Sequence, residues 1–474
     1  MIFHSLDFIV FLIAILATYW VLPFRGQNLL LLVGSLFFYG YISPWFLGPL
    51  MVAIVVDFFV AQAIGAATKY RKATLGISIA TNLGMLLTFK YFGFFVDNVN
   101  AILTSIGLSS FQPGLSLILP VGISFYTLQS IGYTVDVYRG HTKACRNFLD
   151  YALYVSFFPQ LVAGPIERST HLLPMITSPR TISSARILSG VQLILWGFFK
   201  KLVIADNVAI TANKIFALEN PDFALLWAGV FAFTFQIYAD FSAYTDIARG
   251  TARLLGFELM ENFRGPYLSR SPHDFWGRWH ISLSSWIRDY VYIPLGGSRR
   301  GPMRNVINLI LAFAVSGLWH GAQWNFVLWG LYWSFLTIGY RAVGVETESS
   351  PKQPIPYLAD VTKVFVLFAF TCFGWLLFRE TNPTYLWKYA TLNPLAVTGT
   401  QWQVAFFLAS HTLVFALPIL LYDALCRLPS RVLEKWQESI LFRRPLELGA
   451  ACALFLAILI LRSASQSDFI YFQF

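Results

Sequence analysis

Two histidines stand where proton transfer would suit them. His320 lies in SGLWHGAQWNF, between a tryptophan and a glycine, where two apolar runs (305–315 and 327–338) meet. His280 lies in DFWGRWHISLSSWIRDY, on what helical spacing makes an aromatic-aliphatic stripe. An imidazole with an ordinary pKa near ~6.5 is the natural general base at neutral pH. Burial favours its neutral form, which is the form that accepts a proton. Trp319 and Trp324 are placed to wall off bulk water, and Gly317 and Gly321 to leave a substrate chain room beside the ring. A substrate hydroxyl would fit such a base. For either ring taken alone, a packed and hydrogen-bonded core histidine is the competing reading.

Other chemistries find little support. The seven histidines form no HExxH motif and no close i, i+4 pair, so no metal site is expected. No GxSxG elbow offers a serine nucleophile. LGGSRRG lacks the lysine and spacing of a phosphate-binding loop. Cys145, Cys372, Cys426 and Cys452 show no metal or redox spacing and are expected to be thiols.

Around His280 lies a polar stretch, 240–290. Six arginines (249, 253, 264, 270, 278, 288) face six acids (Asp240, Asp246, Glu258, Glu261, Asp274, Asp289). A charge at the centre of a membrane helix costs about 2.5–3.5 kcal/mol on insertion scales. Such groups should therefore pair or line a wet cavity. Ser242, Asp246, Arg249 and Arg253 share one helical face, where Asp246 can pair with Arg249. Asp240 lies deeper in the apolar run and is the better candidate for a functional carboxylate, one that could orient a histidine. Residues 274–290 read as one amphipathic helix, interfacial or cavity-lining, with Arg278 and Arg288 available to anionic groups or to an ion-pair network.

The elements that must position these groups follow from composition. The chain of 474 residues is 57% hydrophobic, 17% aromatic and only 12% charged. A soluble domain is about one-quarter charged. Apolar runs of roughly 18–22 residues are long enough to cross a ~30 Å hydrocarbon core. Twelve spans are expected: 5–22, 29–41, 46–67, 74–96, 116–137, 187–208, 223–250, 306–320, 324–340, 361–378, 404–423 and 446–461. Residues 148–166, broken by Pro159, Gly164 and Pro165, read as a bent or re-entrant segment tolerated only where protein buries it. The fold class is thus an all-α polytopic membrane protein, with 1–474 as one membrane domain. The polar stretch 341–356 is too short to be another. The first twenty residues have no basic start and no clear cleavage site, so a retained first helix is expected.

The formal net charge is +10. Basic residues fall in alternate loops: Arg25; then Lys69, Arg71 and Lys72; then Arg139, Lys143 and Arg146. That alternation places the N-terminus outside the membrane and the basic loops in the cytoplasm. Arg299, Arg300 and Arg304 are then cytoplasmic too, as is the cluster Arg427, Arg431, Lys435, Arg443 and Arg444. The helix ending at His320 runs outward. A membrane-lipid environment and no nucleic-acid partner are expected.

Several motifs together carry a resemblance. SGLWHGAQWNFVLWG (316–330), DFWGRWHISLSSWIRDYVYIPLGGSR (274–299), QIYADFSAYTDIARG (236–250), FFPQLVAGPIER (157–168) and DFIYFQF (468–474) resemble the membrane-bound O-acyltransferase family. The bacterial alginate O-acetyltransferase-like branch, related to the teichoic-acid D-alanyl-transfer proteins, is the nearest in pattern. The resemblance implies a ring of about 11–12 transmembrane helices, with re-entrant and amphipathic helices, around a central funnel and tunnel. It implies transfer of an acyl group, expected to be acetyl, from a cytoplasmic thioester (acetyl-CoA or an acyl carrier protein) to an extracytoplasmic hydroxyl. The acceptor is then a polysaccharide, reached directly or through a periplasmic or extracellular acetyltransferase partner. No bound cofactor is implied, and the bacterial inner membrane is the expected location. His320 matches the family's invariant histidine and His280 its second. Asp240, Arg278, Arg288, Trp319 and Asn325 are the expected supporting or donor-positioning residues. A transporter, or a scaffold subunit of a polysaccharide export complex, is the alternative. No inverted repeat favours the first, and the second leaves both histidines idle.

Overall fold

The computed structural model of the chain describes residues 1–66, 69–111, 118–345, 358–427, 440–465 and 467–470. The helical prediction holds: helix accounts for 76% of the structure, and no strand occurs among the described residues. Among the described residues, seven of the twelve expected spans are helices long and apolar enough to cross a membrane: Pro44–Ala66, Arg71–Ser105, Ser184–Phe216, Phe223–Leu254, Pro302–His320, Asp360–Arg379 and Gly399–Leu425. The first and last expected spans are shorter apolar helices, Leu6–Tyr19 and Pro445–Leu461. The linker from 346 to 357, the basic cluster from 428 to 439 and the last four residues of the DFIYFQF motif lie outside the described residues.

The chain divides into two compact units, 1–191 with 248–260 and 192–247 with 261–474. In the first, Leu47–Ala66, Arg71–Leu86 and Ile123–Arg139 pack together around a polar seam. Asn82 donates to Asp57 at 2.8 Å, and the Ser78 and Thr134 hydroxyls meet at 2.9 Å. Small and polar side chains hold apolar helices together where lipid gives no hydrophobic drive for association. Residues 148–166 are bent, as their prolines require. Phe148–Ser156 ends at Phe157, Phe158–Leu161 follows, and every residue from 151 to 167 is buried by protein. The buried Glu167 carboxylate accepts the Met260 N–H at 2.6 Å and meets His171 at 2.7 Å.

The second unit holds most of the polar stretch, residues 240–247 and 261–290. The long helix Phe223–Leu254, whose residues 223–247 belong to this unit, has 78% of its most apolar window buried within the protein. Pro302–His320 and Trp324–Ala342 form a tight antiparallel hairpin, and its glycines explain how tight. A Cβ on Gly317 would come within 2.2 Å of the Phe326 carbonyl oxygen, and one on Gly330 within 2.4 Å of the Phe313 carbonyl oxygen. At Gly321 a Cβ would lie 2.0 Å from the Phe326 ring. Gly317 and Gly321 therefore admit the neighbouring helix, and the expectation that they clear a path for substrate is corrected. Small residues at such crossings let backbones approach closely.

Candidate active site

Residues 274–290 do not form one helix. Pro272–Trp276 is a single turn capped by the Ser271 hydroxyl, which accepts from the Asp274 N–H at 3.2 Å. The chain then turns, His280 takes a left-handed conformation (φ 44°), and Ile281–Ile287 begins. Among the described residues no other non-glycine has positive φ. Such a conformation costs of order 1–3 kcal/mol and persists only where surroundings enforce it. Here Asn262 enforces it. Its carbonyl accepts from the Ile281 N–H at 3.0 Å, and its side-chain oxygen from the Ser282 N–H at 3.1 Å. The Arg264 N–H meets the Arg278 carbonyl at 3.0 Å. Trp279, fully buried, stacks against Phe275 and Tyr267 and fixes the turn from the other side.

This kink aims His280 at His320. The two ring centroids lie 6.5 Å apart, and both residues are buried. Trp319 touches both, at 5.6 Å from His280 and 5.0 Å from His320. Phe241 stands edge-on to His280 at 4.7 Å. Trp329 and Phe378 stand edge-on to His320 at 5.0 and 5.2 Å. Asn325 donates to the Phe378 carbonyl at 3.0 Å, so it positions one wall of this chamber. Burial pushes the His280 imidazole down to about 3, which keeps it neutral. Of the two tryptophans expected to exclude water, Trp319 does so; Trp324 is 54% exposed and does not.

Asp240 does not serve a histidine. Its carboxylate pairs with Lys201 at 3.0 Å and accepts the Ile470 N–H at 2.7 Å. Lys201 also pairs with Asp206 at 2.9 Å and donates to the Ser467 carbonyl at 2.7 Å. Asp246 takes Lys200 at 2.7 Å. Lys200 comes from another helix, a partner that the spacing of Asp246's own helix, which offers Arg249, does not show. The two lysines were missed, although KK inside the apolar run 187–208 was a signal: each is too costly there without a partner. The next residue, Phe241, is the one that reaches His280.

Arg278 pairs with Asp274 at 2.5 Å and is buried; Arg288 pairs with Asp289 at 2.8 Å, and its side chain is 62% exposed. Both line a cavity of about 460 Å³. Arg264, Arg341 and His273 add further basic groups to its wall; Ser284, Ser285 and Thr337 add hydroxyls; Trp276 and Phe313 add apolar surface. The lining includes Ile281, the neighbour of His280, and Ser316, one helical turn before His320. Arg341, Trp276, Trp329 and Phe378 were not legible as site residues, because nothing in local spacing brings them to the histidines.

Residues 141–379 match the family model for MBOAT, the membrane-bound O-acyltransferase family. A probable alginate O-acetylase from Pseudomonas putida is 37% identical, with the whole of both chains covered. A peptidoglycan O-acetyltransferase from Helicobacter pylori is 32% identical over 96% of this chain and 94% of its own. A teichoic acid D-alanyltransferase from Bacillus subtilis is 28% identical over 56% of this chain and 70% of its own.

Proposed function

Since the chain belongs to the membrane-bound O-acyltransferase family, we propose that this membrane O-acyltransferase moves an acetyl group from a cytoplasmic thioester to a hydroxyl outside, with His320 as general base. The observation that carries the reading is the pairing of two buried imidazoles one helical turn from an arginine-lined cavity. The cavity suits the donor. A phosphorylated carrier such as coenzyme A, or the phosphopantetheine arm of a carrier protein, brings anionic phosphate to Arg264, Arg288 and Arg341 and an apolar acyl end to Trp276 and Phe313. Its volume lies within the range of small-molecule sites, roughly 300–1,000 Å³.

In this reading His320 takes the proton of the acceptor hydroxyl as its oxygen attacks the thioester carbonyl. The C–O bond forms, the C–S bond breaks, and the proton returns to the departing thiolate. General-base help of this kind contributes about 10²–10⁴-fold. His280, held neutral, positions the donor or polarises its carbonyl. The acceptor is a surface polysaccharide or an extracytoplasmic partner protein that passes the acetyl group on. The alginate O-acetylase relatives favour the polysaccharide. The alternating basic loops support an N-terminus outside the membrane, and the bacterial inner membrane is the location this reading expects.

The test is acetyl transfer by His320→Ala in membrane vesicles supplied with labelled acetyl-coenzyme A, at matched protein level. A fall of about 10²-fold or more is expected. A normally inserted variant with full transfer overturns the assignment.

A further inference from the structure

We propose that the indole N–H of Trp329 is the donor that holds the thioester carbonyl oxygen as it turns into an oxyanion. The inference rests on the reading of His320 as base and adds a second catalytic residue to it.

Trp329 is fully buried, and no described group accepts a hydrogen bond from its Nε1. A buried donor left without an acceptor costs roughly 1–3 kcal/mol. Such an atom calls for an explanation, and its position supplies one. The ring meets His320 edge-on at 5.0 Å and 85°. It also meets Trp276, a wall of the cavity, at 5.7 Å and 82°. Trp329 thus bridges the place where the donor would enter and the place where the proton would be taken. Trp333, one turn along, is the informative contrast. Its Nε1 likewise has no described acceptor, yet its ring contacts are Phe275, Trp276 and Tyr332, with none to His320.

The backbone keeps Trp329 and His320 in fixed register. Gly330 lies against the Phe313 carbonyl and Gly317 against the Phe326 carbonyl, so both rings belong to one hairpin packed without slack. Donors held in place before charge develops need no reorganisation when it does. During attack the hydroxyl oxygen bonds to the carbonyl carbon, its proton goes to His320, and the carbonyl π electrons move onto oxygen. The Trp329 N–H receives that oxygen. When the carbonyl re-forms, the thiolate leaves and takes the proton from His320, giving an ester and a thiol.

Trp329→Phe removes the N–H and keeps an aromatic ring. Replacing Trp329 with benzothienylalanine, by suppression at that codon, keeps the shape as well, and covers the case in which phenylalanine disturbs packing. In vesicles supplied with acetyl-coenzyme A, either change should lower kcat about 10²–10³-fold and leave the donor KM within about twofold. Trp333→Phe should keep kcat. A benzothienyl variant with wild-type kcat overturns the proposal, as does an equal loss in Trp333→Phe. If only the Trp329 variants remain active while His320→Ala is dead, the base assignment stands and this one falls. If His320→Ala is active, the base assignment itself has failed.

Discussion

Two polar regions lie buried in the second unit, and they are built in opposite ways. The cluster of Lys200, Lys201, Asp206, Asp240 and Asp246 is fully ionic in composition, with lysine-to-carboxylate distances of 2.7–3.0 Å. The chamber around His280 and His320 is assembled from ring edges, with neighbours at 4.7–5.6 Å. Paired charges in a buried site lock geometry, because removing one strands the other. A ring held by aromatic walls can change protonation without tearing the scaffold. Ionic groups here hold chain segments together, whereas the chemistry is proposed for the histidine rings. The two are adjacent in sequence at Asp240 and Phe241, whose side chains serve one region each.

The sharpest way to break this contrast is Lys201→Ala. It leaves Asp206 and Asp240 without their shared cation and removes the hydrogen bond to the Ser467 carbonyl. A stability loss of about 3–5 kcal/mol is expected, read as a lower unfolding temperature in detergent. Unfolding at the wild-type temperature with acyl transfer abolished would move this cluster into the chemistry.

A smaller effect tests the other side. His280 folds neutral, with its imidazole pushed down to about 3, whereas an unfolded histidine titrates near ~6.5. The unfolded chain therefore binds the extra proton, and stability falls as pH drops from about 6.5 towards 3. Between pH 7 and pH 5 the wild type should lose roughly 2 kcal/mol that His280→Gln does not lose. Thermal unfolding of the two proteins at both pH values checks this, and parallel losses would mean that His280 is already charged in the fold.

The smallest effect is expected at the cavity mouth. Arg288, mostly exposed and paired with Asp289, should contribute no more than about 1 kcal/mol. Arg288→Ala should raise the donor KM by up to about fivefold and leave kcat and unfolding temperature alone. A large fall in kcat would place Arg288 with the histidines.

Much of the fold was legible. Because length and hydropathy are local properties, runs of apolar residues marked seven helices of membrane-crossing length, though 74–96 and 187–208 stopped eight or nine residues short of their ends. The broken segment 148–166 was read from its prolines, whose constraint is also local. The site was legible only in part. The structure brings His320, His280 and Trp319 together, which their separate motifs did not show, and Asn325 reaches the Phe378 carbonyl. Asp240 was misjudged, since an acid deep in an apolar run announces a need for a partner without naming it. The partners turned out to be Lys201 and the backbone of Ile470, 230 residues away. The amphipathic helix across 274–290 was misjudged as well. Periodicity assumes unbroken helical dihedrals, and the left-handed turn at His280 resets the register.

By itself the sequence determined that this chain is a helical membrane protein of the O-acyltransferase kind. It also placed His320 and His280 in motifs that resemble those of that family. The membrane-helix conclusion depends on hydropathy and run length, which act over a few turns of chain, and the family on the resemblance of its motifs. Only the tertiary structure decided that rings forty positions apart face each other. It also decided that the arginines gather on one cavity and that the buried lysines take the carboxylates. Such contacts are made between helices, where packing chooses among many partners that local chemistry leaves equally acceptable.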